Sequence, residues 1–212
     1  MHGPVIIKLG GSLLERDSGE SLRGLGQVLA ERATASGQIL IVPGGGPFAD
    51  TVRRYWEQLR LPEETCHFMA LAAMSQYAYL LREFIPGSRV SELGREDHAH
   101  PGVQILLCEG YLREVPEKSL PRNWEVTSDS IAAFLARELG ASMLVLLKST
   151  DISPDLRPPG VDEHFGKLLP LPCPTWFLSG GHPQRLGQLL AGERTQGLYL
   201  PPNARTAAAE NP

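Results

Sequence analysis

Val5-Ile6-Ile7-Lys8-Leu9-Gly10-Gly11-Ser12 is an apolar run that ends in a lysine and two glycines. It reads as a buried strand that turns sharply at its end. The paired glycines tolerate positive φ and let a ligand approach the main chain. Backbone N–H groups and the Lys8 ammonium gather there, a favourable place for phosphate oxygens. One such turn is common. A second glycine run, Pro43-Gly44-Gly45-Gly46, follows the next apolar segment, and the pair together points to a site.

The 212 residues are 42% hydrophobic and 21% charged, a balance typical of a soluble globular chain with a real core. A net charge of −4 gives no support for nucleic acid or an acidic lipid surface as a partner. Lysine is scarce: only Lys8, Lys118, Lys148 and Lys167 occur, against sixteen arginines. Two of the four end apolar, strand-like runs, so they are not surface filler. Cys66, Cys108 and Cys173 are too few and too widely spaced for a disulfide framework or a clustered zinc site. With no leader pattern and no run of 18 apolar residues, the expected compartment is the cytoplasm, away from the membrane.

Outward from the first strand, Leu22, Leu25, Val28, Leu29 and Ala33 recur at helical spacing, predicting a helix from Ser21 to about Ser36, with Gly37 as its C-cap. Residues 13–20 read as turn. Ile39–Val42 is a wholly apolar strand, and Pro47 suits the first turn of a helix running to Leu59. A long helix over 62–84 follows, its small and aromatic residues suited to packing on several sides or against a second subunit. Residues 86–102 read as loop, 103–108 as strand, and 116–124 as loop. Val126-Thr127-Ser128-Asp129-Ser130 opens a helix that Thr127 or Ser128 can cap and Gly140 closes. Strands are expected at 143–148, 175–178 and 197–200, with a short helix near 163–168 and another from Pro183 to Leu190. Strands alternating with helices, three of them ending in glycine turns, predict an α/β fold: a three-layer α/β/α sandwich around a mostly parallel sheet, with ligands along the strands' C-terminal edge.

Neither short phosphate fingerprint occurs, the Gly-x-x-x-x-Gly-Lys-Ser/Thr loop or Gly-x-Gly-x-x-Gly. A distributed set stands in their place: Lys8 with Gly10 and Gly11, the Gly44–Gly46 run, Asp129 at a helix start, and Lys148 with Asp151 after a strand. Phosphoryl transfer needs such parts, because amides and lysines offset charge on the moving group while carboxylates orient them. The Lys-Leu-Gly-Gly-Ser of residues 8–12 resembles the opening signature of the amino acid kinase superfamily. Residues 43–50, Pro-Gly-Gly-Gly-Pro-Phe-Ala-Asp, are similar to its second glycine loop. Thr127-Ser128-Asp129 and Leu147-Lys148-Ser149-Thr150-Asp151 resemble its nucleotide-side half. The resemblance spans residues 4–200 in order.

That resemblance implies ATP and Mg²⁺, with Lys8, Asp129 and Lys148 catalytic. Gly10, Gly11, Ser12, Lys148, Asp151 and Gly180 would hold the nucleotide, and Gly44, Gly45, Gly46, Asp50 and Arg53 would meet the acceptor. Lys8 would stabilise the transferring group, Asp129 orient the lysines, and Lys148 neutralise the β- and γ-phosphates. No residue is assigned as a protein metal ligand. The expected organisation is one domain over 1–200, an acceptor-side half at 1–125 and a nucleotide-side half at 126–200, with a flexible tail at 201–212. Within the superfamily, the short length, Phe48-Ala49-Asp50 with Val52-Arg53, and Ser179-Gly180-Gly181-His182-Pro183 are most similar to the small aminomethylfuran phosphate kinases of methanofuran biosynthesis. The implied reaction is transfer of the γ-phosphoryl group of ATP to a small phosphate monoester, and the apolar and aromatic composition of the 62–84 helix separately predicts a homodimer or higher oligomer. A kinase acting on isopentenyl phosphate or a carboxylate is an alternative. So is a non-catalytic nucleotide- or anion-binding relative, because Asp151-Ile152 stands where Asp-Gly is common and the segment after it is short. Asp50 and Arg53, three apart on a helix, suit either a surface ion pair or contact with an acceptor phosphate. His98 and His100 lack a third metal ligand nearby. His182 is a further candidate contact.

Overall fold

Every residue of the opening strand is buried, and it lies at the centre of the molecule's sheet. The computed structural model describes residues 3–33, 37–94, 102–150 and 160–204. In chain order the elements are β1 (Val5–Leu9), α1 (Leu13–Arg16), α2 (Glu20–Arg32), β2 (Gln38–Pro43), α3 (Gly46–Leu59) and α4 (Glu63–Phe84). Then come β3 (Arg89–Glu92), β4 (Gly102–Leu107), α5 (Glu109–Glu114), α6 (Ser128–Glu138) and β5 (Met143–Lys148). A 3₁₀ turn (Phe165–Leu168), β6 (Thr175–Ser179), α7 (Pro183–Leu190) and β7 (Leu198–Leu200) complete it. The sheet order is β3-β4-β2-β1-β5-β6-β7. Every pairing is parallel except that of β6 with β7. The chain leaves β1 in both directions, so the switch point, where ligands bind in such sheets, lies at its C-terminal end.

Strand alternation decides which face each residue serves. Val5, Ile7 and Leu9 join a core with Leu13, Leu22, Leu25 and Leu29 of α1 and α2 and Leu186 of α7. Ile6 joins the opposite core, with Ile131, Ala132 and Leu135 of α6. Lys8 therefore points to the α6 side. On β5, Leu144 and Leu146 face α6 in the same way, which places Lys148 there too. The four apolar side chains of β1 contribute about 6–12 kcal/mol in gross terms, at about 1.5–3 kcal/mol each. That exceeds the several kcal/mol that burying one ion costs. A lysine in a central strand is thus sustainable.

The layered α/β/α sandwich is as expected, and the differences lie in short or peripheral elements. Residues 13–16 form a single helical turn, not a plain turn, with Leu13 anchored in the core. Helix α2 ends at Arg32, so Gly37 is not its cap; at φ +74° it leads into β2. A short strand, β3, lies within the stretch expected to be loop, paired among the described residues only with β4. Helix α5 occupies a stretch given no element in advance. On α3, Val52 is buried, but Tyr55 and Leu59 are exposed. No described helix is long and apolar enough to cross a membrane.

Candidate active site

The two glycine turns meet at the C-terminal ends of β1 and β2. The Gly44 N–H donates to the Leu9 carbonyl (2.8 Å). A Cβ on Gly11 would overlap the backbone of Gly46, and one on Gly44 would stand 2.6 Å from the Gly11 nitrogen. Gly46 itself takes φ +54°. These glycines are demanded first by one loop's approach to the other. Tyr77 of α4 lies beneath them, its hydroxyl donating to the Gly10 carbonyl at 3.4 Å.

Asp129 reaches this junction from the first turn of α6. Its Oδ1 is 2.9 Å from Lys8 Nζ and its Oδ2 is 2.6 Å from Lys148 Nζ, with all three side chains about nine-tenths buried. Lys148 also donates to the Gly160 carbonyl at 2.7 Å. Burial works to raise the Asp129 carboxyl, but the two ammonium groups outweigh it and hold it below the ordinary aspartate value. Burial, helped by the nearby Lys8 charge, holds Lys148 below the ordinary lysine value despite Asp129. One carboxylate between two ammonium groups leaves a net positive cluster at the switch point. Such a cluster can offset the growing negative charge of a phosphoryl group in transit.

On one side of Lys8 opens a cavity of about 220 Å³. Gly45 and Gly46 line its inner end, Leu71, Met74 and Ile131 its apolar wall, and Asp50, Arg53, His67 and Trp124 its polar and aromatic rim. Arg53 pairs with Asp50 at 2.6 Å, and its guanidinium lies over the Trp124 ring, 5.0 Å from the centroid. The ion pair posed above exists, and both of its residues line the cavity. Burial holds His67 below the ordinary histidine value, which keeps its imidazole neutral near pH 7.

Ser12, by contrast, turns toward the end of β5, its hydroxyl donating to that of Ser149 (3.0 Å). Arg16 of α1 donates to the Ser149 carbonyl, and its guanidinium occupies the space a Cβ on Gly181 would need. Gly180 donates its N–H to the Lys148 carbonyl at 2.8 Å, and a side chain there would strike Leu13. Lys8, Gly10, Gly11, Ser12, Lys148 and Gly180 therefore surround one end of the β1–β5 seam. Gly44, Gly45, Gly46, Asp50 and Arg53 lie on the β2–α3 side. Asp151, His98 and His100 fall outside the described residues.

Sequence reasoning passed over four side chains: Arg16, His67, Trp124 and Asp162. Trp124, in a loop directly before the Thr127–Asp129 run, carried the best available signal. The Asp162 carboxylate accepts from the N–H groups of Thr127 (2.9 Å) and Ser130 (3.1 Å), and from both their hydroxyls. It thereby caps α6, for which Thr127 or Ser128 was the expected cap; Thr127 holds the N-cap position, but its side chain makes no capping hydrogen bond.

Among the described residues no cluster of three acidic, histidine or cysteine side chains could hold a metal ion. Asp129 is already engaged by two lysines. The donor set fits a Mg²⁺ that arrives on nucleotide phosphates, the usual habit of that ion.

Residues 3–153 match the amino acid kinase family, and the chain belongs to it. Its class of chemistry is accordingly ATP-dependent phosphoryl transfer. Among individual relatives, the chain is similar to the [5-(aminomethyl)furan-3-yl]methyl phosphate kinase of Methanocaldococcus jannaschii, with 27% identity over 210 residues, covering 89% of this chain and 93% of that protein. In fold it is similar to the uridylate kinase of Archaeoglobus fulgidus (TM-score 0.63, 19% identity, 89% of this chain and 96% of the other). The UMP kinase of Ureaplasma parvum is similar too (TM-score 0.65, 14% identity, 94% and 99%).

Proposed function

We propose that this kinase transfers the γ-phosphoryl group of ATP to a small phosphate monoester carrying a compact ring, of the kind represented by [5-(aminomethyl)furan-3-yl]methyl phosphate. The observation that carries the reading is the net positive Lys8–Asp129–Lys148 cluster beside a small, partly apolar cavity. The full-length similarity to the M. jannaschii kinase supports the acceptor class. In this reading an acceptor phosphate oxygen attacks the γ-phosphorus in line while the bond to the β–γ bridging oxygen breaks, and ADP leaves. Lys8 bridges the transferring group, Lys148 offsets charge on the β- and γ-phosphates, and the glycine loops hold both substrates at reacting distance. Mg²⁺, when bound with the nucleotide, supplies further charge neutralisation. The flat Trp124 face and the Leu71–Met74 wall suit a ring, Arg53 suits the acceptor phosphate, and Asp50 suits an ammonium group.

A panel of acceptors with ATP and Mg²⁺, read by ADP release, tests this. The furan phosphate should outperform UMP, isopentenyl phosphate and a carboxylate acceptor, and Lys8→Ala should lower turnover by at least ~10². Preference for a carboxylate, or full activity without Lys8, removes the proposal. Binding of ATP with transfer to no acceptor would favour a non-catalytic role.

We also propose self-association through α4, which leaves Met69 and Tyr79 exposed on a largely apolar helix. Light scattering should give at least twice the chain mass; the monomer mass refutes it.

A further inference from the structure

The carboxylate of Asp162 is used by no step described so far, yet it is more heavily hydrogen-bonded than most structural aspartates. Its Oδ2 accepts from the Thr127 N–H, the Thr127 hydroxyl at 2.7 Å and the Ser130 N–H; its Oδ1 accepts from the Ser130 hydroxyl and the Phe165 N–H at 3.0 Å. The two anchored amides bracket Asp129 in sequence. Helix starts leave their first N–H groups without intrahelical acceptors, and here an anion from a distant loop supplies them. The same short stretch contributes the Gly160 carbonyl that holds Lys148. One loop thus fixes both the helix turn that carries Asp129 and one of the lysines Asp129 binds.

We propose that Asp162 is a positioning residue, which by capping α6 sets the Lys8–Asp129–Lys148 cluster in its reactive arrangement. Asp162 has no place near the transferring group and acts through Asp129. Contacts of 2.6 and 2.9 Å leave little slack, and a misplacement near 1 Å costs a reaction of this kind up to about 10² in rate. Among the described residues, the charged groups facing Lys148 are Lys8 from β1, Asp129 from α6 and Asp162 from the segment after Gly160, the last two favouring its protonated form. Loss of the Asp162 charge therefore leaves a signature on Lys148 that ordinary loosening of the fold does not.

The proposal rests on the kinase reading for its consequence, so the test has two separable arms. With only four lysines in the chain, ¹³Cε-labelled lysine gives a spectrum in which each can be followed through a titration. In full-length Asp162→Asn, the Lys148 titration should move to lower pH. In the acceptor assay, kcat should fall about tenfold or more, with the acceptor KM within about twofold. Ser130→Ala, which removes one donor and keeps the charge, should leave the Lys148 titration unmoved and lower kcat about threefold. It still serves if the Asn variant does not fold. An unmoved Lys148 titration in Asp162→Asn, or kcat within twofold of the parent in either variant, overturns the proposal. If the parent transfers phosphate to no acceptor, the kinase reading falls and the lysine titration alone decides the role of Asp162.

Discussion

Replacing Asp129 with asparagine tests the cluster at its centre, because the change keeps the shape and removes the charge. Two ammonium groups, at 2.9 and 2.6 Å from the carboxylate oxygens, then face each other across an amide with no anion between them. Breaking a buried pair by deleting one partner costs about 3–5 kcal/mol. The chain has an escape: one lysine can shed its proton, restoring the cluster's original net charge. From an ordinary lysine value near 10.4, that costs about 4.6 kcal/mol at pH 7 but only about 1.9 kcal/mol at pH 9. The loss should therefore be about 3–4.6 kcal/mol at pH 7 and at most about 1.9 kcal/mol at pH 9. For a chain of this size, about 2–4 °C per kcal/mol gives a melting temperature lower by about 6–18 °C at pH 7 and by less than about 8 °C at pH 9. Differential scanning fluorimetry of both proteins at the two pH values reads this directly. A decrease under about 2 °C at pH 7, or equal decreases at both, would show that the three groups do not form a coupled buried cluster. On the acid side the sign is opposite. Asp129 has a lowered value when folded, so its stabilisation is present above about pH 3.9 and is lost as pH falls through the folded value.

Gly11→Ala should lower stability by about 1–3 kcal/mol, since the added methyl meets the Gly46 backbone and no flexible side chain that could yield. Denaturant melts would show it, and an unchanged midpoint would mean the loops are not in contact in solution. The kcat of the parent enzyme should fall as pH rises through the Lys148 value, which burial and Lys8 hold below that of an ordinary lysine. A kcat profile still flat at about pH 10.4 would remove Lys148 from the charge-neutralising role.

The parts of the site that lie on apolar strands were legible from the chain alone. Val5–Leu9 carries its lysine one residue before its end and Met143–Lys148 ends in one, so both were legible as strand-end lysines; the β1–β5 register that puts them on one face was not. Asp129 was legible as a helix-start residue, and its place between the lysines followed from the family resemblance alone, because nothing local says that α6 crosses the ends of two strands. Asp162 was invisible for the same reason. It lies more than thirty residues from the two α6 amides it serves, in a proline-rich stretch with no periodicity to place it. Among the described residues strand β3 has a single neighbour and only Ser91 buried, so its sequence lacks the apolar run that marked the central strands. Helix α5 is too short for a 3.6-residue pattern to emerge from Glu109–Glu114. His67 reaches the cavity only because α4 packs beside α3, a tertiary fact with no local trace.

The contact between the two glycine turns has a bearing on how such an enzyme can diversify. The Gly44 amide bound to the Leu9 carbonyl, and Gly11 seated on Gly46, join the two glycine turns through main chain alone. No side chain of the cavity beside Lys8 takes part in that contact. Residues such as Trp124, Met74 or His67 can then be exchanged to admit a different molecule while the gap across which the phosphoryl group travels keeps its length. Chemistry and recognition are in this way mechanically uncoupled, and a change of acceptor requires new walls without a new alignment.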